Sequence, residues 1–150
     1  MANFSLFNLI FVSFIGISLG CKCIPPTQNM AYCRAQWISK ANILKQVDAN
    51  GTIIYNVQHL KIFKNITKDI PNEIYTANST AACGVTSLLE KNEYLLVGII
   101  NSGKLYINSC IVMPILDGRF QSHPLWRDVP QDLRLRLVKK DFKPCPIFKR

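Results

Sequence analysis

The chain of 150 residues carries 18 lysines and arginines against 9 aspartates and glutamates, a formal net charge of +9. Its length suits one domain with a modest core, and a second domain is not expected. The basic balance favours anionic partners, such as sulfated matrix glycans or acidic proteins. It argues less for nucleic acid, because the sequence contains no basic motif interleaved with aromatic residues.

Residues 1–20 predict a secretory signal peptide. The segment has no charged side chain, its apolar core is short for a membrane span, and Ser18 and Gly20 supply the small residues of a cleavage site. Cleavage would leave a secreted, extracellular domain, 21–150, that begins at Cys21 and has no membrane span. A short membrane anchor and a lipoprotein acylated at Cys21 are the alternatives, and the absence of Lys or Arg near Met1 argues against the lipoprotein.

Six cysteines follow this leader, and an even number in a secreted chain of this size predicts three disulfides. They are Cys21, Cys23, Cys33, Cys83, Cys110 and Cys145. Spacing alone leaves their pairing open. A zinc finger is disfavoured, because there is no Cys-x-x-Cys motif and the two histidines are isolated.

The first half of the domain predicts one short helix and two long strands. Pro25 and Pro26 keep the start extended, and Thr27 or Asn29 can cap a helix that runs towards Gln36. Strands over 37–47 and 52–63 flank a turn at 48–51 with an Asn-Gly pair. The apolar alternation in the second strand shifts to Leu60 and Ile62, which predicts a bulge that bends the strand around a small barrel.

The second half predicts three more strands and a helix. Strands are expected over 73–76, 93–100 and 104–112, the last two as a hairpin around 101–103. The segment 130–140 is predicted to be helical, although Leu133, Leu135 and Leu137 together also fit a strand. Five strands, flanking helices and three disulfides suit a mainly β fold, a five-stranded OB-fold barrel.

Several motifs, taken in order and spacing, resemble the N-terminal, netrin-like domain of the tissue inhibitors of metalloproteinases, in the single-domain form found in invertebrates. They are Cys21-Lys22-Cys23-Ile24-Pro25, Ala31-Tyr32-Cys33, Lys61-Ile62-Phe63-Lys64, Ile74-Tyr75-Thr76-Ala77, Cys83-Gly84-Val85, Glu93-Tyr94-Leu95-Leu96-Val97-Gly98, and the late Cys110 and Cys145. The resemblance implies an OB-fold barrel with disulfides Cys21 to Cys83, Cys23 to Cys110 and Cys33 to Cys145.

The resemblance also implies a function, the inhibition of zinc metalloproteinases by a monomer that needs no cofactor of its own. The free amine and the carbonyl of Cys21 would chelate the zinc of the protease, and Lys22 would point into its specificity pocket. The other residues implied to contact the protease are Cys23, Ile24, Pro25, Thr80, Ala81, Ala82 and Cys83. An α-amine titrates at about 7.7 to 8.0, so losing its proton near neutral pH costs about 1 kcal/mol.

Lys22 departs from the family, where Ser or Thr usually follows the first cysteine. Burying an ammonium group without a partner costs several kcal/mol. Lys22 therefore either weakens binding to common matrix metalloproteinases or selects a protease with an acidic or hydrated pocket. The alternative function is a non-inhibitory netrin-like module that binds a cell-surface receptor or an anionic matrix component such as heparan sulfate. A basic tail fits this function, although a solvated chain end explains the tail equally well. Its residues are Lys139, Lys140, Lys143, Lys149 and Arg150.

The remaining candidates are three glycosylation acceptors and two histidines. Asn50, Asn65 and Asn78 each begin an Asn-x-Thr motif, which ordinary turn chemistry also explains, and a glycan on Asn78 would lie near the proposed protease contact. His59 is expected to pack on a strand and His123 in a loop. No Ser-His-Asp or Cys-His arrangement is present, so we do not expect an enzyme.

Overall fold

The computed structural model describes residues 20–119 and 121–146, so the predicted leader lies outside the described residues apart from Gly20. Two helices and five strands follow one another: α1 (Gln28–Arg34), β1 (Trp37–Ala49), β2 (Thr52–Asn65), β3 (Glu73–Ala77), β4 (Glu93–Asn101), β5 (Lys104–Tyr106) and α2 (Gln131–Lys139). Single 3-10 turns lie at Thr80–Ala82 and Trp126–Asp128.

The five strands form a closed barrel in the order β1-β2-β3-β5-β4. Strand β1 pairs antiparallel with both β2 and β4, and the one parallel pair, β3 with β5, closes the barrel. Closure removes the free sheet edges that would otherwise invite pairing with another chain. The predicted mainly β, five-stranded barrel is confirmed.

The long hairpin of β1 and β2 turns at Asn50 and Gly51, both with positive φ (47° and 84°), as a tight Asn-Gly turn requires. The register between the strands skips Leu60 and Phe63 of β2, so the predicted bulge is confirmed and a second one follows it. Leu60 and Ile62, to which the apolar alternation shifts, stay 42% and 44% exposed, and Phe63 is buried instead. Each bulge moves the following side chain to the other face, and the sequence alternation indicated the first bulge but not the second.

Strand β5 is shorter than predicted and ends at Tyr106 instead of continuing to residue 112. The Asn108 side chain accepts hydrogen bonds from the backbone N–H groups of Cys110 and Ile111, both at 2.9 Å. Such a local side-chain bond turns the backbone away from strand pairing. The predicted strand over 104–112 is therefore wrong beyond its first three residues.

Both predicted helices are present. Thr27 caps α1, its hydroxyl accepting from the backbone N–H of Met30 at 3.2 Å. In α2, Leu133 and Leu137 are fully buried whereas Leu135 is 47% exposed, which fits the helical spacing and rules out the strand alternative.

Two apolar clusters hold the domain together. One fills the barrel and includes Trp37, Tyr55 and Leu105, and the other lies between the outside of the barrel and the two helices. We call this second cluster the helix-side core; its buried members are Ala31, Ala35, Ile38, Phe63, Leu95, Val97, Met113, Val129, Leu133 and Leu137. No helix in the described part of the chain is long and apolar enough to span a membrane.

Candidate functional site

The segment of residues 21–25 is held on the barrel by two neighbouring disulfides. Cys21 is bonded to Cys83 and Cys23 to Cys110, with Cα–Cα distances of 5.0 and 5.1 Å. The two bridges lie side by side, because the sulfurs of Cys21 and Cys110 are 3.3 Å apart. The third disulfide joins Cys33 of α1 to Cys145. These are the pairings that the resemblance implies.

The side chains of this segment alternate between the barrel and solvent. Cys21 and Cys23 are half-buried, whereas Lys22 is exposed and Ile24 is 82% exposed. Successive side chains of an extended chain point to opposite sides, so fixing both cysteines inward directs Lys22 and Ile24 outward. Pro25 is also exposed, and Pro26 is buried where the chain turns towards α1.

The turn Thr80–Ala82 lies beside this segment, because the disulfide from Cys83 joins the two. The Ser79 hydroxyl accepts from the backbone N–H of Ala81 at 3.2 Å, and the Ser79 carbonyl accepts from Ala82 and Gly84 at 3.1 and 2.9 Å. All three residues of the turn are exposed, and Cys83 is half-buried in a left-handed conformation with φ 60°. We call residues 21–25 and 80–83 together the stapled edge.

Gly84 and Ser109 fix the position of this edge on the barrel. A Cβ on Gly84 would lie 2.0 Å from the carbonyl oxygen of Ala77, closer than any side chain tolerates, so the turn packs directly on the end of β3. The backbone N–H of Ser109 donates to the Cys83 carbonyl at 2.9 Å. Sequence reasoning assigned neither residue to the site. The Cys83-Gly84 pair is a turn signal that could have indicated Gly84, whereas nothing around Ser109 marks it.

The sulfurs of Cys21, Cys23 and Cys110 lie within 4.8 Å of one another, a spacing that could suit a metal ion. All three belong to disulfides, and a thiolate is the form of cysteine that binds metals. The cluster therefore serves as a covalent support for the edge.

Both histidines lie away from the exposed surface of the edge. His59 is half-buried, and its two ring nitrogens lie 2.9 Å from the Ser39 hydroxyl and 2.9 Å from the Pro71 carbonyl. Burial lowers its pKa, opposed by the Pro71 carbonyl. These contacts give His59 the packing role expected of it.

His123 is fully buried, and burial lowers its pKa to about 4. The carbonyls of Val97 and Ile111 face the ring and oppose that shift, yet neither ring nitrogen has a partner with hydrogen-bond geometry among residues 20–119 and 121–146. Loop packing was expected for His123, but no feature of the sequence indicated such deep burial.

The glycosylation acceptors and the basic tail are distributed around the barrel. Asn50 and Asn78 are exposed, and Asn65 is half-buried at the end of β2. In the tail, Lys139, Lys140 and Lys143 are exposed, while Lys149 and Arg150 lie outside the described residues.

The closed five-stranded barrel with its stapled Cys-x-Cys segment defines a small, disulfide-linked OB-type domain. A family model described as tissue inhibitor of metalloproteinase matches residues 20–115. The chain belongs to this family.

Several proteins similar to this chain are named metalloproteinase inhibitors. Metalloproteinase inhibitor 2 of Canis lupus familiaris is 36% identical over 102 residues, covering 60% of this chain and 46% of that protein. Metalloproteinase inhibitor 2 of Homo sapiens is 32% identical over 114 residues, covering 68% and 51%. Metalloproteinase inhibitor 3 of Xenopus laevis is 31% identical over 97 residues, covering 61% and 45%. The chain thus spans about half the length of the curated relatives it matches.

Proposed function

We propose that this protein inhibits zinc metalloproteinases and that the stapled edge is the surface that enters the protease cleft. Family membership and the names of the relatives support the class of target. The observation that carries the proposal is the edge itself, in which Cys21 and Cys23 are anchored by separate disulfides while Lys22 between them is exposed.

The proposed mechanism begins with secretion and cleavage after Gly20, which frees the α-amine of Cys21. That nitrogen and the Cys21 carbonyl oxygen are separated by two carbons, so together they can close a five-membered chelate on a metal ion. The catalytic zinc of a protease keeps one position open for water and can expand to five ligands, so the chelate would displace that water and supply two donor atoms in its place. The zinc belongs to the protease, and the inhibitor, acting as a monomer, needs no metal of its own.

The two disulfides would supply rigidity, which is the main requirement for such a chelator. Ordering a flexible backbone costs about 1–2 kcal/mol per residue. A segment already fixed at Cys21 and Cys23 has lost most of that freedom before binding, and preorganisation of this kind raises affinity. The turn at Thr80–Ala82 supports the same role, because its small exposed residues let a cleft wall approach the backbone closely.

Lys22 is the residue we expect to set the choice of protease. It projects beside the proposed chelating atoms and is exposed in the free protein. An apolar specificity pocket would have to desolvate its ammonium group without compensation, whereas a carboxylate or ordered water in the pocket would offset that cost. The preferred partners are therefore metalloproteinases with an acidic or hydrated specificity pocket.

The test compares two forms of the mature protein, one that begins at Cys21 and one with an extra alanine ahead of it. The extra residue converts the amine into an amide nitrogen, which has no available lone pair for zinc. Against a panel of matrix and disintegrin-type metalloproteinases, we expect the extended form to inhibit about 100-fold more weakly or worse, a loss of roughly 2.7 kcal/mol.

The thermal unfolding of the two forms serves as the control and should coincide, because the added residue lies outside the barrel. Absence of inhibition by the form that begins at Cys21, or equal inhibition by both forms, would contradict the mechanism.

A second candidate function, binding to an anionic matrix component such as heparan sulfate, is favoured by the distribution of charge. Two ion pairs form within the described ranges, Lys40 with Glu93 and Arg127 with Asp128. Lys139, Lys140 and Lys143 remain exposed near the end of the domain. Retention on immobilised heparin at low salt, reduced by Lys139→Gln with Lys143→Gln, would support this function, and passage of the unmodified protein without retention would exclude it.

A further inference from the structure

The three Asn-x-Thr motifs lie at two different ends of the barrel. Asn50 lies in the turn between β1 and β2, and Asn78 directly follows β3. Strand pairing places Thr52 opposite Ala77, and the backbone N–H of Asn78 donates to the Gly51 carbonyl at 3.1 Å. These two acceptors therefore belong to one corner of the molecule, although 28 positions separate them in the sequence.

Asn65 lies at the opposite end of β2, where it pairs with Trp37. The strand that separates it from Asn50 is 14 residues long, which corresponds to roughly 40 Å along the chain. Its side-chain amide donates to the Thr67 carbonyl at 2.8 Å, and its oxygen accepts from the Thr67 hydroxyl at 2.8 Å. Asn65 thus forms a local turn of its own, remote from the corner shared by Asn50 and Asn78.

The corner of Asn50 and Asn78 adjoins the stapled edge. Asn78 immediately precedes Ser79, the residue that caps the turn Thr80–Ala82. The contact of Gly84 with Ala77 joins the chain before and after this turn. The disulfide at Cys83 then anchors the turn to Cys21. A group attached to Asn78 would consequently be rooted at a rigid position beside the edge, even if the group itself were flexible.

The chemistry at both positions suits attachment of a glycan. Both side chains are exposed, and within the described ranges neither amide nitrogen forms a hydrogen bond to the protein. In N-glycosylation the amide nitrogen of Asn bonds to the anomeric carbon of the first sugar and loses a proton, and the lipid-linked pyrophosphate of the oligosaccharide donor departs. The product is bulky and hydrated.

We propose that Asn50 and Asn78 carry N-linked glycans that together form a screen beside the stapled edge and restrict which metalloproteinases can reach it. This inference rests on the proposed inhibitory function. A protease with a high cleft rim on that side would collide with the glycans, whereas one with an open rim would dock unhindered. The glycosylated protein therefore inhibits a narrower set of proteases than the bare chain.

The experiment uses the full chain secreted from a eukaryotic host, together with the matched variants Asn50→Asp, Asn65→Asp and Asn78→Asp. Peptide N-glycosidase also converts a glycosylated Asn to Asp, so each variant equals the enzymatically deglycosylated product at that position. Asp tolerates the left-handed backbone of residue 50 and keeps the acceptor oxygen of residue 65. If Asn50→Asp fails to fold, Thr52→Val removes the same acceptor and leaves the turn intact.

Intact mass shows whether glycans are attached. Inhibition constants against the protease panel show whether the glycans restrict which proteases are inhibited. We expect glycosidase treatment to lower the mass by at least two glycans, and the Asn50→Asp, Asn78→Asp double variant to inhibit some proteases about tenfold more strongly than the untreated protein. The Asn65→Asp variant should inhibit all of them as the untreated protein does.

Absence of a glycan at residues 50 and 78, or equal inhibition by the double variant and the untreated protein, would overturn the screen. If the deglycosylated chain inhibits no protease, the proposed inhibitory function fails together with the screen. If it inhibits every protease just as the glycosylated chain does, the screen alone fails.

Discussion

The helix-side core and the stapled edge are built by opposite means. In the helix-side core, Leu133 and Leu137 are fully buried against the barrel, and the rings of Phe63 and Trp126 stack with centroids 5.8 Å apart. The edge buries little, since Lys22 and the turn Thr80–Ala82 face solvent. Burial of apolar surface stabilises the first region, and covalent bonds and backbone hydrogen bonds fix the second.

This difference teaches how a small domain can hold an exposed surface rigid. A surface that must meet a partner cannot also be buried, so apolar packing is not available to order it. Two disulfides two residues apart and a turn packed directly on β3 replace that packing. Mutations in the helix-side core should therefore change the free energy of unfolding, whereas mutations in the stapled edge should change protease inhibition.

The largest expected effect is on stability, from Leu133→Ala in the helix-side core. Removing a fully buried leucine side chain costs about 2–5 kcal/mol, through lost burial and a residual cavity. Equilibrium unfolding in denaturant should show this loss, while the inhibition constant of the remaining folded protein stays unchanged. Leu135→Ala, on the exposed face of the same helix, is the matched control and should change stability by less than about 1 kcal/mol.

An acid-induced loss of stability is expected next, from His123, which lies between the two regions. Its ring faces the carbonyl of Val97 in the helix-side core, and it also lines a cavity of about 200 Å³ behind the stapled edge, beside Thr80 and Ser109. Because its pKa is about 4 in the folded protein and 6.5 when unfolded, the unfolded chain binds more protons between these values. Stability is therefore full above pH 6.5 and falls by up to about 3 kcal/mol as the pH drops to 4.

Unfolding curves at pH 7, 5 and 4 for the wild type and His123→Gln measure this contribution as a difference in slope. The substitution also changes the stability at pH 7 through altered packing. Only the difference in pH dependence measures the contribution of His123 protonation. The pKa of His59 is lowered too, and His59 is present in both proteins, so its contribution cancels. Parallel pH profiles would show that His123 does not resist protonation in the folded state.

The smallest expected effect is on specificity, from Lys22→Thr in the stapled edge. Thr removes the ammonium group that an apolar pocket cannot solvate, so inhibition of metalloproteinases with apolar specificity pockets should improve by about tenfold. Stability should remain within about 0.5 kcal/mol of the wild type, since Lys22 is exposed. Unchanged inhibition across the panel would indicate that residue 22 does not enter the specificity pocket.

Local signals in the sequence predicted the barrel well. The Asn50-Gly51 pair fixed the main hairpin, and the spacing of Leu133 and Leu137 identified α2, because both depend on interactions within a few residues. Two other features were not predicted from the sequence. The double bulge left Leu60 exposed, which depends on how β2 pairs with β1 across the hairpin. The Asn108 side chain ended β5 early, because local hydrogen bonds from Cys110 and Ile111 competed with strand pairing.

The candidate site depended on the resemblance to a known family more than on residue patterns. Cysteine spacing alone left the disulfide pairing open, and it was the family likeness that paired Cys21 with Cys83. The contact of Gly84 with Ala77 joins residues on either side of a turn at atomic distance, which no periodicity in a sequence encodes. The burial of His123 likewise follows from how its loop packs on β4, where the backbone N–H of Leu95 donates to the Pro124 carbonyl at 3.0 Å.

The contact between Gly84 and the end of β3 defines the smallest unit that could be moved to another scaffold. If residues 21–25 and 80–83 were transplanted alone, they would lose the contact that positions them. That contact is the packing of the Gly84 backbone against the Ala77 carbonyl. A design that reproduces the stapled edge must therefore also include the end of β3 at Ala77 and keep Gly84.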